Sequence, residues 1–527
     1  MTRLLCATAL ASVLLAAAAP LALAQSRGSS IESGELSRLD AWSVGAIGRG
    51  QGALPPELWS ASEPALLGAL FDRLPGDFGS PAARTLARRA LASPGAAPVG
   101  DAQTAGRKRF EALGRIGAAQ DISTMTAAAS IAADPEIAQY AAQADLSNGR
   151  LAPACQRSAT AGTGFLLRLR ALCAAIEGNT GATDLALSLA RETGSRDAWL
   201  EQVIALIGGV PAPRPIPARY DSSLSVWASL AANLTPPRNP LAQSSTLALA
   251  ALATADRGDP RLRAEAALLA FSRGAIDASI VRTQMQAALA ASATNAPRTS
   301  LAIAQAQALP GSLEAATAIA AALSNARSFA ELTAIAQTLQ PELSQISLAA
   351  DAATALTLAK AALAIGDIGQ GARLLRVAEG LGATPAAMGG LRAAIAVGSS
   401  NISDQAALFS VTQRLDDAGE AGRARALRDV AVLSAMGFPL EPGVRRALIT
   451  TAPTGGRPAD AGLLAALGPA VDAEALGEVA LIAAAAAAPG AGTLDAASLT
   501  QILVALRQVG LNDDAQRLAV EALVAGP

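Results

Sequence analysis

The sequence predicts an all-α fold, an α-hairpin solenoid with essentially no β-sheet. Three observations carry this. Alanine makes up about a quarter of the 527 residues and recurs in helix-sized segments; it is the best helix former, and its small side chain lets helices approach closely. A capping residue followed by proline recurs at Ser80-Pro81, Asp134-Pro135, Asp259-Pro260 and Thr384-Pro385. There a side-chain oxygen can accept a first-turn N–H, and proline at the first helical position gives up no donor the helix needs. Glycines such as Gly178, Gly366 and Gly510 mark the opposite ends, where a left-handed residue closes a helix. No stretch alternates apolar and polar residues with β-branched enrichment, the mark of a half-buried strand.

The chain opens on a secretory pattern. Arg3 supplies a positive start, residues 4–19 an apolar run broken by Pro20, and Ala22-Leu23-Ala24 a small-x-small cleavage site,. About 16 apolar residues fall short of the roughly 20 a membrane span needs. Cys6 lies too near the start for a lipoprotein signal. Residues 1–24 are therefore expected to be a signal peptide cut after Ala24, so that the exported chain begins at Gln25 and is periplasmic or secreted.

Residues 25–207 read as an N-terminal helical region. Residues 208–219 hold four prolines and two glycines, a linker composition because proline lacks the N–H and resists helix continuation. Residues 220–527 read as a helical-repeat region, interrupted by Pro236, Pro237 and Pro240 and by a loop over 451–458. A single superhelix with a proline-rich kink at 208–219 is the alternative division. Residues 479–488 contain six consecutive alanines closed by Pro489-Gly490; the run is too short for a second span and reads as a buried helix.

The last hairpin has the clearest periodicity. Leu499, Ile502, Leu503 and Leu506 follow helical spacing, Gly510 allows a turn, and Ala515, Leu518, Ala519, Ala522 and Leu523 repeat the spacing,. As the end of a solenoid, this hairpin is expected to cap the apolar edge of its neighbour, with Leu518 in the hairpin interface and Gln516 outside it.

These residues resemble the tetratricopeptide repeat, a helical hairpin with large residues early in its first helix, glycine near the turn, small residues in its second helix and a closing proline. Leu499, Ile502 and Leu506 match the large positions, Gly510 the turn, Ala515 and Ala522 the small positions and Pro527 the close. Leu503 departs from the pattern, standing where the family prefers a small residue. A weaker copy contains Leu358, Ala359, Ala362, Gly366-Asp367, Gly371, Leu375 and Ala378; a third fragment is Ala171, Gly178, Leu187 and Ala190. The resemblance covers about a third of the chain and implies a superhelix with a concave binding surface. The whole chain also resembles exported alanine-rich proteins of GC-rich Gram-negative bacteria, some with antifreeze-glycopeptide-related names. Leu39-Asp40-Ala41-Trp42 and Leu54-Pro55-Pro56-Glu57-Leu58-Trp59 carry that resemblance, which implies no activity.

Composition narrows the chemistry. The chain has no histidine, the commonest general base and metal ligand. Its formal net charge of -2 becomes one unit more negative without Arg3, so no basic footprint for nucleic acid exists. Arg107-Lys108-Arg109 is an isolated cluster that reads as a solvated helix face, with an anionic contact site as the alternative. Mean hydropathy is +0.34, which alanine alone explains. No Gly-x-x-x-x-Gly-Lys, Gly-x-Ser-x-Gly, Ser-x-x-Lys or calcium-loop pattern is present. Asp416-Asp417 and Asp513-Asp514 read as caps or exposed residues, with metal ligation as the alternative. Trp42, Trp59, Trp199 and Trp227 read as core anchors, with a binding surface as the alternative.

Cys155 and Cys173 carry the strongest local signal. A hairpin turn near 161–164 puts them about 12 and 15 Å from the turn on antiparallel helices, at 1.5 Å per residue. They would lie nearly level, and an oxidising compartment favours a structural disulfide, with two separate buried thiols as the alternative. A catalytic thiol has no histidine to activate it.

The expected function is that of a non-enzymatic periplasmic scaffold for a protein or peptide partner, with no catalytic residue, cofactor or metal, no nucleic-acid partner and no membrane span after cleavage. A cell-envelope hydrolase or peptidoglycan accessory factor is the alternative, and ice binding a minor one: Thr124, Thr126, Thr317 and Thr354 keep no fixed period.

Overall fold

The computed structural model describes residues 40–526 except 160–161, 418 and 452–454, with the backbone alone for 129, 130, 416, 417, 420 and 421. The expected signal peptide and cleavage site lie outside the described residues. The described residues form one compact unit. Their regular structure is helical, with an isolated bridge between Arg457 and Leu494 and no strand among them.

The caps read from sequence form as physical bonds. Ser80 Oγ accepts from Ala83 N, Asp134 from the N–H groups of Glu136 and Ile137, Asp259 from those of Arg261 and Leu262, and Thr384 from Ala387 N. Each starts a helix with proline in its first turn. Gly178, Gly366 and Gly510 take φ of 74°, 80° and 80°, a region that L side chains rarely adopt.

Successive helices pack as hairpins. Ala352–Ala364 pairs with Ile368–Gly380, and Ala496–Gln508 with Asn512–Ala525. In the first pair a Cβ at Gly371 would lie 2.5 Å from the Leu363 side chain, so the small residue there is a packing requirement.

The stack is not an open row in which each hairpin meets only its neighbours. Pro81–Ala92 packs on Leu476–Ala487 and on Asn512–Ala525, and Pro385–Gly398 also packs on Asn512–Ala525. Early and late parts of the chain therefore close on one another. The Leu476–Ala487 helix, which holds five of the six consecutive alanines, forms this seam and is buried over almost its whole surface. Ala488 O accepts from Gly79 N at 2.8 Å and from Ser80 N at 3.3 Å, and Gly477 N donates to Leu58 O at 3.0 Å. A Cβ on Gly79 would lie 2.3 Å from Pro489 O, and one on Gly477 2.6 Å from the Trp59 ring. Ion pairs Arg73–Asp460 and Arg89–Asp514 also cross the seam.

This closure corrects the expectation of a terminal cap. The stripe Ala515, Leu518, Ala519, Ala522 and Leu523 is buried as read, but Val520, Glu521 and Val524 are buried too. Gln516 does not face open solvent: its Nε2 donates to Val397 O, Gly398 O and Ser400 Oγ. Asp514 is neither a cap nor exposed; it pairs with Arg89 and Arg517 in the seam. Asp416 and Asp417 end the Gln405–Asp417 helix, and their side chains lie outside the described residues.

Arg107-Lys108-Arg109 is a solvated face only in part. Arg107 pairs with Asp134 and Glu136, and Lys108 with Asp72. Arg109 is 0% exposed and donates to the carbonyls of Ala41, Trp42, Val44, Leu91 and Ser93. Burial pulls its pKa down to about 9, which leaves it charged at neutral pH. A guanidinium with this many carbonyl acceptors is a tether for the segment before the first helix. That segment carries Trp42, which meets Trp59 and Phe71 with ring centroids 5.6 and 6.2 Å away. Trp42 and Trp59 are core anchors, as read.

Residues 208–219 carry no helix. The end of the segment is held: Pro217 O accepts from Trp199 Nε1 at 3.0 Å and Ala218 N donates to Thr235 O at 3.1 Å.

Candidate binding cleft

A cleft of about 780 Å³ opens where several helices begin, within the roughly 300–1,000 Å³ range of ligand sites. Gly164–Ile176 brings Phe165 and Arg168, and Ala198–Ile207 brings Trp199 and Leu200. The starts of Ser223–Ala231 and Thr246–Thr254 bring residues 222–225 and 245–247. Glu111, Arg115, Tyr140 and Gln143 complete the lining with Asp77, Arg219 and Arg273.

Local sequence explains the four helix starts. Thr163, Asp197, Ser222 and Ser245 each accept a first-turn N–H through the side chain. Their positive dipole ends therefore share one cavity. The lining itself is balanced: Arg115, Arg168, Arg219 and Arg273 stand with Asp77, Glu111, Asp197 and Asp221.

Most of these charges are already engaged. Arg219 binds Asp221 through Nε and Nη2, reaches Asp197 Oδ1 at 3.4 Å, and lies 4.9 Å from the Trp199 ring centre. Burial would raise the Asp221 pKa, but bonds from Ser225 and Arg219 outweigh it and hold the carboxyl below its ordinary range. Arg115 donates to the carbonyls of Phe71, Asp72 and Leu74 and to Glu111. Arg273 donates to Ser244 O and pairs with Asp77 at 3.2 Å. Burial, reinforced by the Glu111 charge, pushes Tyr140 up to about 12, so its hydroxyl stays protonated.

The arrangement offers hydrogen-bond donors and acceptors together with aromatic faces. It can hold a polar chain that carries amides, charges and an apolar side group. Among the described residues no cluster of three or more cysteines and carboxylates could hold a metal ion.

Cys155 and Cys173 lie beside this cleft, not in it. They sit on Leu151–Ser158 and Gly164–Ile176 with Sγ atoms 2.02 Å apart and Cα atoms 5.8 Å apart. The bond joins the helix that presents Phe165 and Arg168 to its predecessor. Of the tryptophans, Trp199 lines the cleft, and Trp227 is half-buried, donating to Leu146 O at 2.9 Å.

Sequence reading missed the cleft. The usable signal was polar and aromatic side chains placed in the first turns of helices, as in Phe165-x-x-Arg168 and Asp197-Ala198-Trp199. Nothing local says that those turns converge. The cleft also takes residues from both sides of 208–219. No protein-family model, curated protein or solved structure matches the chain.

No described helix is long and apolar enough to cross a membrane.

Proposed function

We propose that this protein is an exported, non-enzymatic scaffold with tetratricopeptide-like hairpins, and that the cleft around Trp199 holds a peptide segment of a cell-envelope partner. The observation that carries this is the composition of one cavity: balanced charge, four capped helix starts and the aromatic residues Tyr140, Phe165 and Trp199. A peptide presents amide donors and acceptors at every residue. A site with both kinds of partner satisfies it, and aromatic faces take up its apolar side chains. The signal-like first 24 residues support export, and the Cys155–Cys173 pair fits an oxidising compartment.

The test is an array of random-sequence peptides probed with residues 25–527. Trp199→Ala and Gln143→Arg should each remove most of the captured signal. Val99→Ala, at a residue 85% exposed and outside the cleft, should leave it unchanged. Equal capture by all three variants contradicts the proposal.

A further inference from the structure

We infer that Arg168 is the specificity-determining group of this cleft and selects peptides that carry a carboxylate next to an aromatic or large apolar side chain. The inference rests on the peptide-binding reading above.

Arg219, Arg115 and Arg273 each have near partners for their charge or donors, as described. Arg168 differs. Its Nε reaches Gly164 O at 3.3 Å, and its nearest carboxylate is Asp197 Oδ2 at 3.9 Å. Asp197 is shared: its Oδ1 accepts from Trp199 N and Leu200 N at 3.1 Å each and from Arg219 at 3.4 Å, and its Oδ2 stands 3.9 Å from Arg168 Nη1, beyond hydrogen-bond length,. Arg168 therefore keeps guanidinium donors that no described residue takes up. It is about a third exposed and lines the cleft, so those donors are accessible to a ligand.

A planar guanidinium with free parallel donors fits a carboxylate better than any other common peptide group. Phe165 stands three residues earlier on the same helix, which puts both side chains on one face. Trp199 carries Arg219 over one side of its ring and lines the same cavity. A carboxylate on Arg168 therefore places the neighbouring side chain against Phe165 and Trp199. The carboxylate can be a chain terminus or an acidic side chain, and the chemistry at Arg168 is the same.

The test uses three probes measured by titration calorimetry: N-acetyl-Ala-Ala-Phe with a free carboxylate, the same peptide amidated, and amidated N-acetyl-Ala-Asp-Phe. Wild type should bind at least one carboxylate-bearing probe about tenfold tighter than the neutral one, as for a charge-assisted bond. Which of the two is preferred separates terminus from side chain. Arg168→Gln should erase the preference by lowering the affinity for the favoured carboxylate-bearing probe about tenfold, to that of the neutral peptide on the same variant, and Arg168→Lys should retain part of it. A thermal melt checks that both variants fold. Equal binding of the three probes to wild type, or a preference that survives Arg168→Gln, overturns the inference and leaves the cleft reading in place. Binding of none of the three overturns the inference; if Trp199→Ala also leaves array capture intact, the cleft reading falls with it.

Discussion

Glu521 Oε2 accepts a 2.9 Å hydrogen bond from the backbone N–H of Ala82, so a carboxylate of the last helix closes the first turn of Pro81–Ala92. Its Oε1 accepts from Ala491 N at 3.1 Å, and the Ser80 side chain adds a bond. Arg428 lies nearby but spends its donors on the carbonyls of Leu494, Ala522 and Ala491. Burial without a paired cation outweighs these bonds and pushes the Glu521 pKa up to about 7.

The closure should therefore strengthen on acidification. A carboxyl whose folded pKa exceeds its unfolded value near 4.5 binds its proton more tightly when folded. Its contribution grows as pH falls through about 7 and is lost as pH rises through that value. Between pH 8 and 5 wild type should gain on the order of 2 kcal/mol relative to Glu521→Gln. Chemical denaturation of both at several pH values measures this; parallel profiles would contradict it.

The seam also requires close backbone approach. Gly477 sits against Trp59 and Leu58 O, whereas nothing lies within 4 Å of a Cβ added at Gly443. Both residues are within helices. Gly477→Ala should cost about 1–3 kcal/mol through overpacking, while Gly443→Ala should stabilise by about 0.5–1 kcal/mol through helix propensity. Thermal melts of the pair decide it, and equal shifts would mean that the seam is looser than described.

The Cys155–Cys173 bond closes a loop with a sequence separation of 18, worth about 3 kcal/mol in the chain-entropy model. Cys173→Ser should lose that stability and also weaken capture by the cleft, because Cys173 shares a helix with Phe165 and Arg168. Mass mapping of the protein purified without reductant should find the pair bonded. Two free thiols would remove this prediction.

Local physics made much of the fold legible. Ser80, Asp134, Asp259 and Thr384 cap their helices because each cap needs only a side-chain oxygen and the next turn. The 352–380 hairpin was readable for the same reason: Gly366 and Gly371 answer to neighbours close in sequence. The closure was not readable, since Gly79 meets Pro489 and Leu58 meets Gly477 across most of the chain's length. Arg109 was misread because a charged residue on a polar helix face looks solvated until the Ala41 to Val44 segment folds over it. The cleft was hidden in the same way. Phe165, Trp199, Arg219 and Thr246 belong to separate helix starts, and only packing brings them together.

The claim that this cleft holds the partner is tested most directly inside cells. Gln143, in the lining, is replaced by p-benzoylphenylalanine in the protein expressed in cells, and Val99, exposed and outside it, is replaced in the same way as control. Irradiation should give discrete covalent adducts from the Gln143 position that Trp199→Ala abolishes, and few from Val99. Adducts equally abundant from both positions, or unaffected by Trp199→Ala, would contradict the account.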